Sequence, residues 1–400
     1  MEKYSSYKDS GVKWLGEIPS HWEVKRLASF FTERRTKVSD QDYAPLSVTK
    51  NGIFPQLENV AKSNDGDNRK LVLNGDFVIN SRSDRKGSSG VSDYDGSVSL
   101  INIVLEPRKT VVPKFCNYLL KSRAFIEEYY RNGRGIVADL WTTRYDEMKM
   151  IKIPMPSLKE QESITSYLDS VTTQIDTAIF QQQKMIELLN ERKQIIINNA
   201  VTKGLDPNVK MKDSGVDWIG EIPEGWEVRK LKHFAKLQSG DTINSDRFTE
   251  YGYPVYGGNG FRGYTDRYTN DGEYVLIGRQ GALCGNVNYA KGQFFASEHA
   301  VVVYPHKEEN LIWLGEVIRA SNLNQYSQSA AQPGLAVGLI QNIYYPYPTT
   351  EEKEKIALFI EKNIQNIDRA ISNCNTQISL LQERKLIIIN EVVTGKVKVS

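Results

Sequence analysis

The chain has 400 residues, room for two to three domains, with 40% hydrophobic residues and a formal net charge of only +2. That balance excludes a protein that grips nucleic acid by bulk positive charge, since such domains are strongly basic. The three cysteines, Cys116, Cys284 and Cys374, are scattered and odd in number, which excludes a disulfide framework or a zinc spacing and fits a reducing cytoplasm.

The opening stretch MEKYSSYKDSGVKW has no apolar core of the secretory type. No apolar run approaches the roughly 18 residues of a membrane span. A cytoplasmic chain without membrane association is therefore expected. Residues 7–30, YKDSGVKWLGEIPSHWEVKRLASF, recur at 211–234 as MKDSGVDWIGEIPEGWEVRKLKHF, with 15 of 24 positions identical. In each copy two tryptophans (Trp14 and Trp22, Trp218 and Trp226) bracket Gly-Glu-Ile-Pro. The repeat reads first as a turn pinned by buried aromatics; the alternative is a docking surface for another subunit.

Residues 31–150 form a first variable domain. Short β-type runs at Leu71–Leu73, Phe77–Ile79 and Val98–Leu105 are separated by turn signals at 74–76 and 95–96. A helix is predicted over 113–131, with Pro113 in its first turn. Two basic loops flanked by glycine stand out, 81–87 (SRSDRKG) and 131–135 (RNGRG).

Residues 156–204 predict one long helix. Ser157 and Glu160 have the spacing of a capping box. Apolar residues follow at alternating steps of four and three: Ile164, Leu168, Val171, Ile175, Ala178, Met185, Leu189 and Ile196. This narrow stripe belongs to a helix lying along another helix. Gly204 and Pro207 stop it. The partner is in the same chain. Residues 348–396 repeat the design 192 positions later, with Thr349 and Glu352 as the box and Ile356, Ile360, Ile367, Ala370, Leu381 and Ile388 as the stripe. Ile-Asp recurs at 175–176 and 367–368, and Glu-Arg-Lys at 191–193 and 383–385. At roughly 45 residues each, both helices are far longer than the globular average of about 12.

Between them, residues 235–345 form a second variable domain. The stretch 251–274 is rich in Gly and Tyr. A strand–loop–strand reading follows at Tyr274–Ile277, Gly278–Gly281 and Asn286–Tyr289, then a strand at Ala300–Tyr304 and a helix at about 309–321. The fold class is two α/β (α+β) domains, joined by two long antiparallel coiled-coil helices in a pseudo-twofold internal repeat. The boundaries are 1–152, 153–206 (first helix), 207–344 and 345–400 (second helix). The flanks repeat closely and the interiors do not, so a common framework carries different payloads.

Sites of catalysis are not evident. The four histidines form no cluster with cysteine, and neither a phosphate loop nor a nucleophile elbow occurs. Tyr345-Pro-Tyr-Pro348 lacks the acidic or amide residue and the Pro-Pro of an amino-methyltransferase loop. A nuclease-like string, Asp9 to Glu23-Val-Lys25, falls in the repeated segment, where such strings arise by chance. Glu298-His299 reads as a packed pair. No metal or cofactor site is expected. Recognition chemistry remains. Reading DNA takes forked donors, Arg for guanine and Asn or Gln for adenine, with Lys, Ser and backbone N–H groups on phosphates. The loops 81–89, 131–135, 259–267 and 278–281 carry these types, and Arg82, Arg85, Lys86, Arg134, Arg262, Arg279 and Gln280 are the candidate DNA contacts. The domains themselves are near neutral, with 21 Lys/Arg against 17 Asp/Glu over residues 20–150 and 11 against 12 over 224–345.

The whole-chain pattern resembles the specificity subunit of type I restriction–modification systems. The marks are the W-x-G-x-I-P-x-x-W segments, the helix start Pro154-Met-Pro-Ser-Leu-Lys-Glu-Gln161 and the Glu-Arg-Lys helix ends. At the second helix start, Pro348-Thr-Thr-Glu-Glu-Lys353 departs by placing a lysine where the family has glutamine. The resemblance implies a non-catalytic role: choosing a bipartite double-stranded DNA site, with the coiled coil setting the spacing. It also implies two modification (methyltransferase) subunits and two restriction (translocase and nuclease) subunits as partners, with S-adenosylmethionine, ATP and Mg on those partners. The alternatives are a specificity subunit of a combined nuclease–methyltransferase system and a coiled-coil scaffold that binds proteins.

Overall fold

The computed structural model describes residues 2–56, 66–135, 141–281, 283–327 and 334–399. Among these, the chain forms seven α-helices: α1 (Pro113–Leu120), α2 (Arg123–Arg131), α3 (Tyr145–Met148), α4 (Leu158–Lys203), α5 (Leu311–Ala320), α6 (Val337–Ile340) and α7 (Thr350–Val393). It divides into two compact units, Met1–Gln182 with Thr376–Ser400, and Gln183–Asn375. The division falls inside both long helices. Each unit therefore holds one variable domain, one half of α4 and one half of α7.

In the first unit a four-stranded antiparallel sheet runs Ser89–Val91, Phe77–Asn80, Asn102–Pro107, Phe31–Glu33. A second sheet pairs Gly96–Ser99 with Arg69–Val72 and Lys37–Val38. The predicted single strand Val98–Leu105 is thus two strands in different sheets. Asn102 closes the turn between them by donating from Nδ2 to the Ser99 carbonyl at 3.1 Å. The predicted helix 113–131 is likewise two. Ser122 ends α1 by donating to the Leu119 carbonyl (2.7 Å) and caps α2 by accepting from Phe125 N–H (3.3 Å), as serine does at a helix start.

The second unit is built on a seven-stranded sheet in the order Ala235–Ser239, Ala300–Pro305, Asn270–Gly278, Val287–Ala296, Tyr253–Gly257, Gly260–Thr265, Phe248–Thr249. The Gly/Tyr-rich stretch is a hairpin in this sheet, and the strand predicted at Asn286–Tyr289 continues to Ala296. Helix α5 packs on the sheet through Trp313, Leu314, Val317 and Ile318. It starts where Asn310 Oδ1 accepts from Trp313 N–H at 3.0 Å.

In each unit the two helix halves pair antiparallel. Ile164, Leu168 and Ile175 share a core with Ile388, Val392 and Val393 in the first unit. In the second, Ile197, Ala200 and Val201 share one with Ile356, Ala357 and Ile360. Lys385 Nζ meets Asp176 at 2.7 Å, and Lys193 Nζ meets Asp368 at 2.8 Å. Adding 192 to Asp176 and Lys193 gives Asp368 and Lys385, so the repeated Ile-Asp and Glu-Arg-Lys sequences make the same bridge once in each unit. Such half-exposed pairs are worth less than about 1 kcal/mol; their value is in setting register. Val171, Leu189 and Leu381 are partly buried, and Ile367 is buried. Met185 is exposed, and the buried line passes through Ile197 while Ile196 beside it is only partly covered. A straight helix drifts by about 20° per heptad against a strict repeat of seven. Over this length the drift moves the apolar line on by one residue.

The repeated lead-in segments join these helices to the domains. Each is a short hairpin, Tyr7–Asp9 with Glu17–Pro19 and Met211–Asp213 with Glu221–Pro223. Trp22 and Trp226 are buried, and each indole N–H donates to the first-turn glutamate of a long helix, Glu160 at 2.9 Å and Glu352 at 3.0 Å. The opposite helix end closes on the same rings. Gly395 and Gly204, both at φ +74°, end α7 and α4, and an added Cβ would lie 3.0 Å from Trp22 and 3.2 Å from Trp226. The predicted box is complete at α7, where the Thr349 and Glu352 side chains each bond the other's N–H. At α4 the expectation is corrected. Ser157 accepts from Glu160 N–H, but the Glu160 carboxylate takes Trp22 and His21.

At the fourth residue of each helix, one past the glutamate, the two copies diverge. Gln161 is fully buried, accepting from Val112 N–H (2.8 Å) and donating to the carbonyls of Thr110 (3.1 Å) and Pro156 (2.9 Å). Its counterpart Lys353 is also buried and bonds Glu309 at 2.7 Å, with its ammonium 3.4 Å from the Tyr347 ring centre and 4.4 Å from that of Trp313. Both side chains tie a helix start to the segment that enters the domain's own helix.

Two phenols belong to these joints. Tyr118 donates to Asp169 (2.7 Å) and Tyr347 to Glu309 (2.6 Å). Burial first, then the neighbouring carboxylates, push both phenols up to about 12. A folded pKa above the unfolded value near 10 contributes stability that is complete below pH 10 and is lost as pH rises through 12. We expect stability to fall between about pH 10 and 12, with these phenolates appearing only as the fold opens. Tyrosinate absorbance and circular dichroism followed together check this; phenols ionising ahead of unfolding would contradict it.

Candidate nucleic-acid interface

In the first unit the polar loops 81–87 and 131–135 are brought together by residues 141–143. Thr142 and Arg134 exchange backbone hydrogen bonds at 2.9 Å in each direction, and Thr143 N–H donates to the Ser81 carbonyl at 3.0 Å. In the second unit the loop after strand Asn270–Gly278 meets residues 334–335, where Leu335 N–H donates to the Arg279 carbonyl at 2.9 Å. Gly258 presses against the same loop: a Cβ on Gly278 would lie 2.1 Å from the Gly258 carbonyl oxygen. Only glycine lets these two backbones approach so closely.

The loops 80–88 and 278–286 share three backbone bonds at an offset of 198. Asn80 N–H donates to Ser88 O and Gly278 N–H to Asn286 O, at 2.9 and 2.8 Å. Ser81 N–H donates to Ile101 O and Arg279 N–H to His299 O, at 3.3 and 2.8 Å. Ser88 N–H donates to Arg85 O and Asn286 N–H to Leu283 O, at 2.9 and 3.2 Å. Gly87 and Gly285 both have positive φ, 80° and 89°. An antiparallel bridge then joins Arg82 to Thr142 and Gln280 to Gly334. The two loops are one backbone frame carrying SRSDRKG in one unit and RQGALCG in the other.

The seven candidate residues are distinguished by what they touch. Lys86 pairs with Glu127 at 2.8 Å and lies 4.5 Å from the Tyr130 ring centre. Arg134 meets Glu147 at 3.3 Å, and Arg85 meets Asp84 at 3.6 Å. Arg279 donates to Ser239 at 3.2 Å. Arg262 lies against Gly257, its guanidinium 5.7 Å from the Phe248 ring centre. Arg82 and Gln280 are exposed, and neither side chain has a hydrogen bond or ion pair among the described residues. Residues 141–143 and 334–335 escaped the sequence reading because Trp-Thr-Thr and Gly-Leu share nothing; only their backbone bonds make them equivalent.

The strings set aside as chance have ordinary roles. Asp9 accepts from Gly11 N–H in a turn, and Glu23 bridges Lys25 on the surface. Tyr345 is buried in strand Tyr344–Tyr347, which pairs with Glu227–Lys230. His299 and Glu298 form a pair at 3.0 Å. No helix among the described residues is long and apolar enough to cross a membrane.

Two α/β units on shared helices, each offering the same loop frame with different exposed donors, define a tandem nucleic-acid reader. A family model described as the type I restriction modification DNA specificity domain matches residues 19–188 and 223–378. The chain belongs to this family, the non-catalytic DNA-recognition component of type I restriction–modification systems. It is 43% identical over 157 residues to the EcoprrI specificity subunit of Escherichia coli, a match spanning 36% of this chain and 39% of that protein. Identity to the MjaVIII specificity subunit of Methanocaldococcus jannaschii is 23% over 440 aligned positions, covering 98% of this chain and 97% of that one. Among solved structures, a chain from a study of complex assembly and conformational transition in the type I R-M system superposes with a TM-score of 0.72 at 15% identity, covering 94% of this chain and 98% of that one. The HsdS subunit from Thermoanaerobacter tengcongensis superposes at 0.54 and 16%, covering 95% and 98%. At these identities the structural likeness speaks for the fold.

Proposed function

We propose that this chain selects a bipartite double-stranded DNA site, each unit reading one half, and that it directs the activities of other subunits to that site. The observation that carries the reading is the duplicated loop frame with unlike side chains: one architecture, two different readers. The partners are modification (methyltransferase) subunits and restriction (translocase and nuclease) subunits, two of each. S-adenosylmethionine, ATP and Mg are held by those subunits. The near-neutral charge of both domains agrees with a site whose phosphate contacts are shared with a partner.

The reading is tested by expressing the chain with its methyltransferase subunit in a host that lacks other adenine methylation, then mapping methylated adenines. An interrupted motif with two unlike halves is expected. Binding of the assembled complex to that site should weaken steeply with salt, because each phosphate contact releases counterions. A continuous motif, or methylation independent of this chain, would refute the proposal.

A further inference from the structure

The seven candidate DNA contacts are not equal, and two independent observations single out the same pair. The first is position. Arg82 and Gln280 occupy the same place in the shared loop frame, one residue beyond the backbone-anchored Ser81 and Arg279, each in a bridge to the segment before the last short helix. The second is availability. The other five candidates are engaged with a carboxylate, a hydroxyl or an aromatic ring of their own unit. Arg82 and Gln280 are exposed without such an engagement among the described residues. A side chain that must exchange water for a base edge does so most readily when no internal partner competes for its donors.

We infer that this single loop position is where each unit chooses a base. Arg82 carries the forked donors that fit the O6 and N7 acceptors of guanine, and Gln280 the donor and acceptor that fit N6 and N7 of adenine. The frame holds the backbone at a fixed height, so exchanging the side chain changes the preferred base without rebuilding the loop. The engaged residues Lys86, Arg134 and Arg279 then brace the loop or meet phosphates. This inference rests on the DNA-specificity reading above and names the residues that would carry it.

The experiment uses the full chain assembled with its methyltransferase subunit, acting on a pool of duplexes randomised over both half-sites. Arg82→Gln should move one position of the first half-site from guanine toward adenine. Gln280→Arg should move one position of the second half-site the other way. Each should change base preference by about 10- to 100-fold, the discrimination of one bidentate pair, with the other half-site untouched. Arg82→Lys, which keeps the charge but loses the fork, should relax that position without replacing it. Unchanged motifs in the exchange variants would overturn the inference. So would a folded, assembled Arg82→Lys complex that methylates nothing, since the side chain would then be a support. If the unaltered complex selects no interrupted motif, the DNA-specificity reading itself fails first, which separates the two failures.

Discussion

Replacing Lys353 by alanine is expected to destabilise the second unit by about 3–5 kcal/mol, the usual result of removing one partner from a buried ion pair. The carboxylate of Glu309 has 6% of its side-chain surface exposed and Lys353 has 2%. Without the ammonium, Glu309 keeps, among the described residues, its bond from Tyr347 alone, and the two rings that faced the charge border a void. Removing both charges together, as Lys353→Met with Glu309→Gln, should cost much less, because no charge is left behind and the volume is kept. Denaturant unfolding of the two variants checks this, followed by a probe in the second unit such as Trp313 fluorescence. Equal losses in the single and the double variant would show that the pair acts only by filling space. The first unit has the neutral version of the joint in Gln161, whose bonds to Val112 and Thr110 do the same work without a buried charge.

The second large effect is on DNA spacing. Helices α4 and α7 have 46 and 44 residues and run without a break from one unit into the other. Deleting one heptad from each should shorten both by about 10 Å, seven residues at 1.5 Å. At about 3.4 Å per base pair along the duplex, the gap between half-sites should shrink by about three base pairs. Removing whole heptads keeps the apolar faces in register, so Asp176 and Lys385, and likewise Lys193 and Asp368, should still meet. Methylated-adenine mapping should return both half-sites unaltered around a shorter gap. An unchanged gap would mean that something other than the helices sets the distance.

The sequence carried the framework because the framework is periodic or repeated. The apolar stripes, both capping residues, the paired tryptophans and the glycine stops recur together, and repetition separates signal from chance in a single chain. Where a reading depended on a strict period or one local rule, it slipped. Met185 lies outside the buried face because real helices drift from seven. Glu160 left its box because His21, a glycine in the second copy, takes the carboxylate oxygen that completes the box at Glu352, and nothing within five residues announces that. Ser122 and the 100–101 turn split elements that look continuous by propensity alone.

The candidate site was legible only as composition. Seven polar residues on four loops could be named from the types that DNA reading needs, and the sequence alone ranks none of them above the others. The ranking came from tertiary bonds. The equivalence of Arg82 and Gln280 rests on their bridges to Thr142 and Gly334, and on the bonds that the next residues, Thr143 and Leu335, donate to Ser81 and Arg279; these segments have no likeness in sequence. The occupation of Lys86 and Arg134 depends on Glu127 and Glu147, brought near by helix packing. Side-chain identity is written locally and periodicity along the chain, so the residues determined the duplicated long helices and the type of chemistry. Which donors stay free to meet a base depends on neighbours distant in sequence, and only the folded chain decided that.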